Sequence, residues 1–163
     1  MSPAISELEK NLQAQVAEHR TLFAAVTKHL DAMRQFDLSA ITSAADAVEA
    51  SKNRVVGLEG RRRNLMAQVV RTHKFDANIT LAEIADQVPA HRVSLTKLRE
   101  QLRGLTQEIA NKSNVSTKVA AAMMGHLNTV VRLIAGAVRQ AGVYTKQGVP
   151  SLANRVGVME AVG

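Results

Sequence analysis

The sequence predicts an all-α fold: an elongated antiparallel helical bundle, coiled-coil in character, of three long helices plus a short connecting helix and a flexible C-terminal tail. Three observations carry this. Apolar residues recur at steps of three and four along most of the 163-residue chain, the spacing that places them on one face of a helix. Apolar residues make up 46% of the chain and aromatic ones 2%, so the apolar content is mainly Ala, Val, Leu, Ile and Met, a mixture that suits helix seams better than pleated sheets. The three prolines, Pro3, Pro89 and Pro150, stand where elements start or stop rather than in helix interiors. The chain divides into a bundle domain over 1–141 and a tail over 142–163.

The first helix is expected from about Pro3 to Gln35. Ile5, Leu8, Leu12, Val16, Phe23, Val26, Leu30 and Met33 form its seam, with His19 filling the remaining position. Eight steps cover the 28 residues from Ile5 to Met33, a mean of 3.5, which is heptad spacing. The interruption Phe36-Asp37-Leu38-Ser39 supplies Asp37 as a cap for the second helix. So short a turn makes the two helices antiparallel neighbours.

The second helix, from Leu38 to about Thr72, has a thinner seam of Ile41, Ala44, Val48, Ser51, Val55, Leu58, Leu65 and Val69, with Arg62 intruding. Gly57 and Gly60 lie inside it, and each weakens a helix by up to ~1 kcal/mol relative to Ala. Residues 73–90 break the long pattern. Thr80 followed three residues on by Glu83 reads as a capping box opening a short helix before Pro89.

The third long helix is expected from about Ala90 to Ala141. Its seam starts with Leu95, Leu98, Leu102, Leu105 and Ile109, turns polar at Lys112 and Ser116, and resumes with Val119, Met123, Val130, Leu133 and Ala137, with His126 between. Small residues and the adaptable Met123 and Met124 cluster in this second half, a surface that accepts more than one partner shape. Val119 to Val138 is the most membrane-like stretch, but His126, Asn128 and Arg132 interrupt it and a bilayer core penalises such groups. No transmembrane segment is expected. From Gly142 on, glycine and proline are frequent and periodicity stops, so the tail is expected to be flexible.

Several chemistries are excluded. The chain has no cysteine, which removes disulfides, thiolate nucleophiles and cysteine-based zinc sites. No two of the five histidines stand at i, i+4 around a glutamate, and no P-loop, dinucleotide fingerprint or nucleophile elbow occurs. No enzyme activity, metal or cofactor is expected. His19 and His126, on seam positions, read as packed polar spacers. The first ten residues lack an apolar core segment, so no secretory signal peptide is expected. Formal charge is +7, with Arg54, Arg61, Arg62, Arg63, Arg71 and Lys74 concentrated on the second helix. Such a cluster suits phosphates or an acidic partner, but aromatic platforms for bases are few and it reads as a solvated helix face. No nucleic acid is expected as a partner.

Asn111 and Asn114 stand three apart on the third long helix, and about thirty residues later Tyr144 and Gly148 bracket the segment YTKQG. In this layout, with Lys52 and Arg61 to Arg63 on the second helix, the chain resembles the FlgN family. It departs from the family pattern at Val115 and Ser116, where bulky apolar residues are common. The resemblance implies a cytoplasmic flagellar type III export chaperone, visiting the membrane export apparatus transiently. Such a chaperone binds hook-filament junction proteins, keeps them unassembled and delivers them to the export gate. It also implies Asn111, Asn114, Tyr144 and Gly148 as partner-binding residues, and the apolar surface of the third long helix adds Met123, Val130, Leu133 and Ile134 as contacts for a docked segment. The alternatives are a basic helical nucleic-acid-associated protein, on the arginine cluster, and a structural coiled-coil adaptor, on the heptads.

Overall fold

A computed structural model describes residues 3–141, with side chains described through residue 137. Four helices follow one another: α1 (Pro3–Arg34), α2 (Leu38–His73), α3 (Leu81–Gln87) and α4 (Arg92–Ala141). Every expected helix is present, and no strand occurs among the described residues. The chain forms two units, Met1–Ala120 and Ala121–Gly163.

Local chemistry sets the helix ends in the first unit. At the end of α1 the amide of Asp37 donates to the Ala32 carbonyl at 3.2 Å and that of Phe36 to Met33 at 3.1 Å. Phe36 takes a left-handed backbone, φ 55°, so the carbonyls left over at the helix end are satisfied by a chain that reverses at once. Asp37 then caps α2, its carboxylate accepting from the Ala40 amide at 3.0 Å. α2 stops in the same way at Lys74, φ 53°, with the Phe75 amide donating to the Val70 carbonyl. The capping box that opens α3 is formed in both directions: Thr80 accepts from the Glu83 amide, and Glu83 accepts from the Thr80 amide at 2.7 Å.

α3 makes the crossover that lets α4 return beside α1 in the same direction. Glu9 of α1 meets His91 at the start of α4. Farther along both helices, Lys112 sits over the Phe23 ring at 5.2 Å. α2 therefore runs antiparallel to both. The core draws on all four helices: Ile5, Leu8, Leu12 and Val16 of α1, Leu65 and Val69 of α2, Ile84 and Ala85 of α3, and Leu95 and Leu98 of α4. Fully burying a Leu or Ile side chain stabilises a fold by ~1.5–3 kcal/mol. The short α3 is thus held by Ile84 rather than by its own propensity, which is marginal at that length.

The seam of α2 is as thin as its sequence suggests, with only Ser51, Leu65 and Val69 fully buried. The helix runs unbroken through Gly57 and Gly60. Opposite them two buried polar side chains of α1, Asn11 and Gln15, donate to the Leu58 carbonyl at 3.3 and 3.2 Å. Neither belongs to the apolar seam, yet both face inward.

Candidate functional site

The second half of α4 carries the largest run of uncovered apolar side chains in the chain's described part. Met124, Leu127, Val130, Val131, Leu133 and Ile134 are each at least half exposed, and Met123 is half-buried. At 3.6 residues per turn, Leu133, Val130, Met123, Ile134, Leu127, Val131 and Met124 fall in that order around roughly half the helix circumference. Asn128, Thr129 and Arg132 occupy the opposite side. The helix is therefore amphipathic here, yet its apolar side faces no core, the reverse of what a packed helix shows. A shallow hollow at the edge of this arc is lined by Met124, Leu127 and Val131 together with Gly125 and Asn128.

Met123, Val130, Leu133 and Ile134, expected as contacts, share this face. Leu127 and Val131 were not among the expected contacts, although their three- and four-residue steps from Met124 and to Ile134 mark a second stripe beside the first. His126, expected as a packed spacer, is exposed, in line with the exposed apolar side chains on either side of it, Met124 and Leu127. Asn111 and Asn114 lie in the first unit and both are exposed; the Asn111 side-chain oxygen accepts from Gln107 at 3.1 Å. Tyr144 and Gly148 lie outside the described residues.

Among the described residues, one helical segment, in Arg92–Ala137, is long and apolar enough to cross a membrane, and none of it is buried. Arg132 at the centre of a bilayer would cost about 2.5–3.5 kcal/mol. Together with Asn128 and Thr129 on the same side, it marks a helix with one apolar face, suited to a protein groove or partner helix.

The arginines of α2 divide into two groups. Arg54 pairs with Glu18 at 3.0 Å, Arg61 with Glu7 at 3.4 Å, and Arg62 grips Glu59 with two hydrogen bonds of 2.8 and 2.6 Å. The Arg54 hydrogen bond holds the Glu18 carboxyl below its ordinary value, opposed by burial and aided by the Ser51 hydroxyl. Arg62 does the same for Glu59. Arg63 and Arg71 make no ion pair among the described residues. No group of three or more His, Asp or Glu side chains is placed to hold a metal ion among the described residues. His19 is half-buried, with Nδ1 2.8 Å from the Gln15 carbonyl oxygen one turn earlier on α1.

A family model described as FlgN protein matches residues 1–151. No curated protein and no solved structure matches the chain.

Proposed function

We infer a client-holding role from one premise: this chain belongs to the FlgN family, a family of flagellar export chaperones. The clients are the hook-filament junction proteins. The chain binds a terminal amphipathic segment of each in the cytoplasm, keeps it from assembling, and brings it to the export gate.

The observation that supports this reading is the uncovered apolar arc of α4. A helix presenting Met124, Leu127, Val130, Val131, Leu133 and Ile134 to solvent is matched by a client helix whose own apolar face must be hidden until assembly. Covering what remains exposed of six such side chains is worth on the order of 1 kcal/mol each. Ordering a disordered client segment costs about 2–5 kcal/mol. The surplus is small, about 1–4 kcal/mol before the cost of association itself, so the arc alone makes a releasable contact and a firm hold draws on further contacts. Met123 and Met124 let one surface fit more than one junction protein.

Asn111 and Asn114, in the first unit, are client contacts by the family resemblance in this reading. Tyr144 and Gly148, by the family resemblance, belong to the contact with the export gate, and an amphipathic ring suits a transient interface because it gives large contact area at small rotamer cost.

The test is secretion. In a strain lacking this chain, secreted junction subunits should fall while hook subunits are still exported. Wild type should restore them and Ile134→Asp should not. Equal restoration by both would remove α4 from the client contact, and undiminished secretion in the deletion strain would remove the role itself.

A further inference from the structure

We propose that the first unit carries a separate binding groove, on α2 and the connection to α3, for an acidic amphipathic helix of a protein partner. The groove encloses about 470 Å³. Half-buried Met66, Val70 and Ile79 form its floor, and Arg62, Arg63 and Arg71 stand along its rim.

Charge and apolarity together select the occupant. No carboxylate lines the groove. Arg62 is compensated by Glu59, whereas Arg63 and Arg71 have no ion-pair partner among the described residues. Arg71 lies in the last turn of α2, where the helix dipole favours a cation, but Arg63 stands more than two turns earlier and gains nothing from that dipole. The Arg71 Nε–H donates to the Ala67 carbonyl at 3.3 Å, holding its guanidinium along the helix beside the groove. A helix with Glu or Asp on its flanks and Leu, Ile or Val toward the floor meets both features: guanidinium groups form forked bonds with carboxylates, and apolar anchors fill the floor. An apolar floor with no aromatic side chain gives nucleic-acid bases nothing to stack on, which favours a protein over an oligonucleotide.

The experiment uses the full chain with its methyl groups labelled for NMR. The probes are a pool of 14-residue helical peptides with Leu on one face and Glu on its flanks, the same pool with Lys for Glu, and a 20-residue oligothymidylate. The methyls of Met66, Val70 and Ile79 should shift with the Glu pool and not with the Lys pool. Arg63→Glu combined with Arg71→Glu should weaken Glu-peptide affinity by roughly tenfold or more. The charge-matched pair Arg20→Glu and Arg103→Glu, away from the groove, should weaken it by less than about threefold. Ala67→Gln, which adds bulk at the exposed groove wall and keeps every charge, should also weaken it. Equal losses in the two charge-reversed pairs would reduce the attraction to net charge and overturn the proposal. So would absence of methyl shifts with the Glu pool, or tighter binding of the oligothymidylate at the same methyls.

Discussion

Glu9 and His91 join α1 to the start of α4: His91 Nδ1 lies 3.0 Å from Glu9 Oε2, with side chains 7% and 16% exposed. The contact fixes where α4 begins its return beside α1, and the Leu95 amide donates to the His91 carbonyl one turn on. Removing one partner strands the other in a site that water reaches poorly. His91→Ala should lower unfolding free energy by about 2–4 kcal/mol, measured by urea denaturation. Glu9→Gln, which can still hydrogen-bond the imidazole, should lose less.

The core at this end should rank substitutions by burial. Leu95 is fully buried and Leu102 only half-buried, so Leu95→Ala should cost about 2–5 kcal/mol and Leu102→Ala clearly less. Leu102→Asp should still destabilise the chain, because the residue packs against the core. Thermal melts of the three variants give the order directly.

Ser116 has the opposite sign. Its hydroxyl is buried with no hydrogen-bond partner among the described residues. Ser116→Ala should be neutral or stabilise the protein by up to about 1 kcal/mol, read as a rise in Tm.

Acid should weaken the Glu18–Arg54 bridge between α1 and α2, and the Glu59–Arg62 pair within α2, in a defined window. The carboxyls of Glu18 and Glu59 are held below their ordinary value of 4.5 by Arg54 and Arg62, so the folded chain favours their ionised forms. The stability they add is present above about pH 4.5 and is lost as pH falls through their lower folded values. Arg54 is 54% exposed and Glu59 38%, so solvent screening keeps the contribution of each pair small. Urea midpoints measured at pH 7 and pH 3 should differ less in Arg54→Ala combined with Arg62→Ala than in wild type.

The helices were legible in the sequence because their signals are local. Heptad spacing marked α1, Asp37 marked the turn into α2, and the Thr80–Glu83 pair marked α3; each is realised in the structure. Contacts between helices were not legible. Asn11 and Gln15 look like surface residues until Leu58 is placed beside them, and Glu9 and His91 are 82 positions apart with no periodicity to connect them. The arginines of α2 read as one solvated cluster, because a linear sequence does not separate those answered by α1 carboxylates from those that are not. After Ser116 the heptad rule follows one apolar stripe, whereas the structure leaves the adjacent stripe with Leu127 and Val131 exposed beside it.

The most direct test of the client-holding role is calorimetric titration of a junction subunit's terminal segment into wild type and into Leu127→Asp combined with Ile134→Asp. Both residues are more than half exposed, so helicity and Tm of the variant should stay close to wild type. Wild type should bind one segment per chain, and the variant should bind at least about a hundredfold more weakly, since two apolar anchors are lost and two carboxylates would have to be desolvated. Unchanged affinity in a variant of unchanged Tm would show that the α4 face does not hold the client.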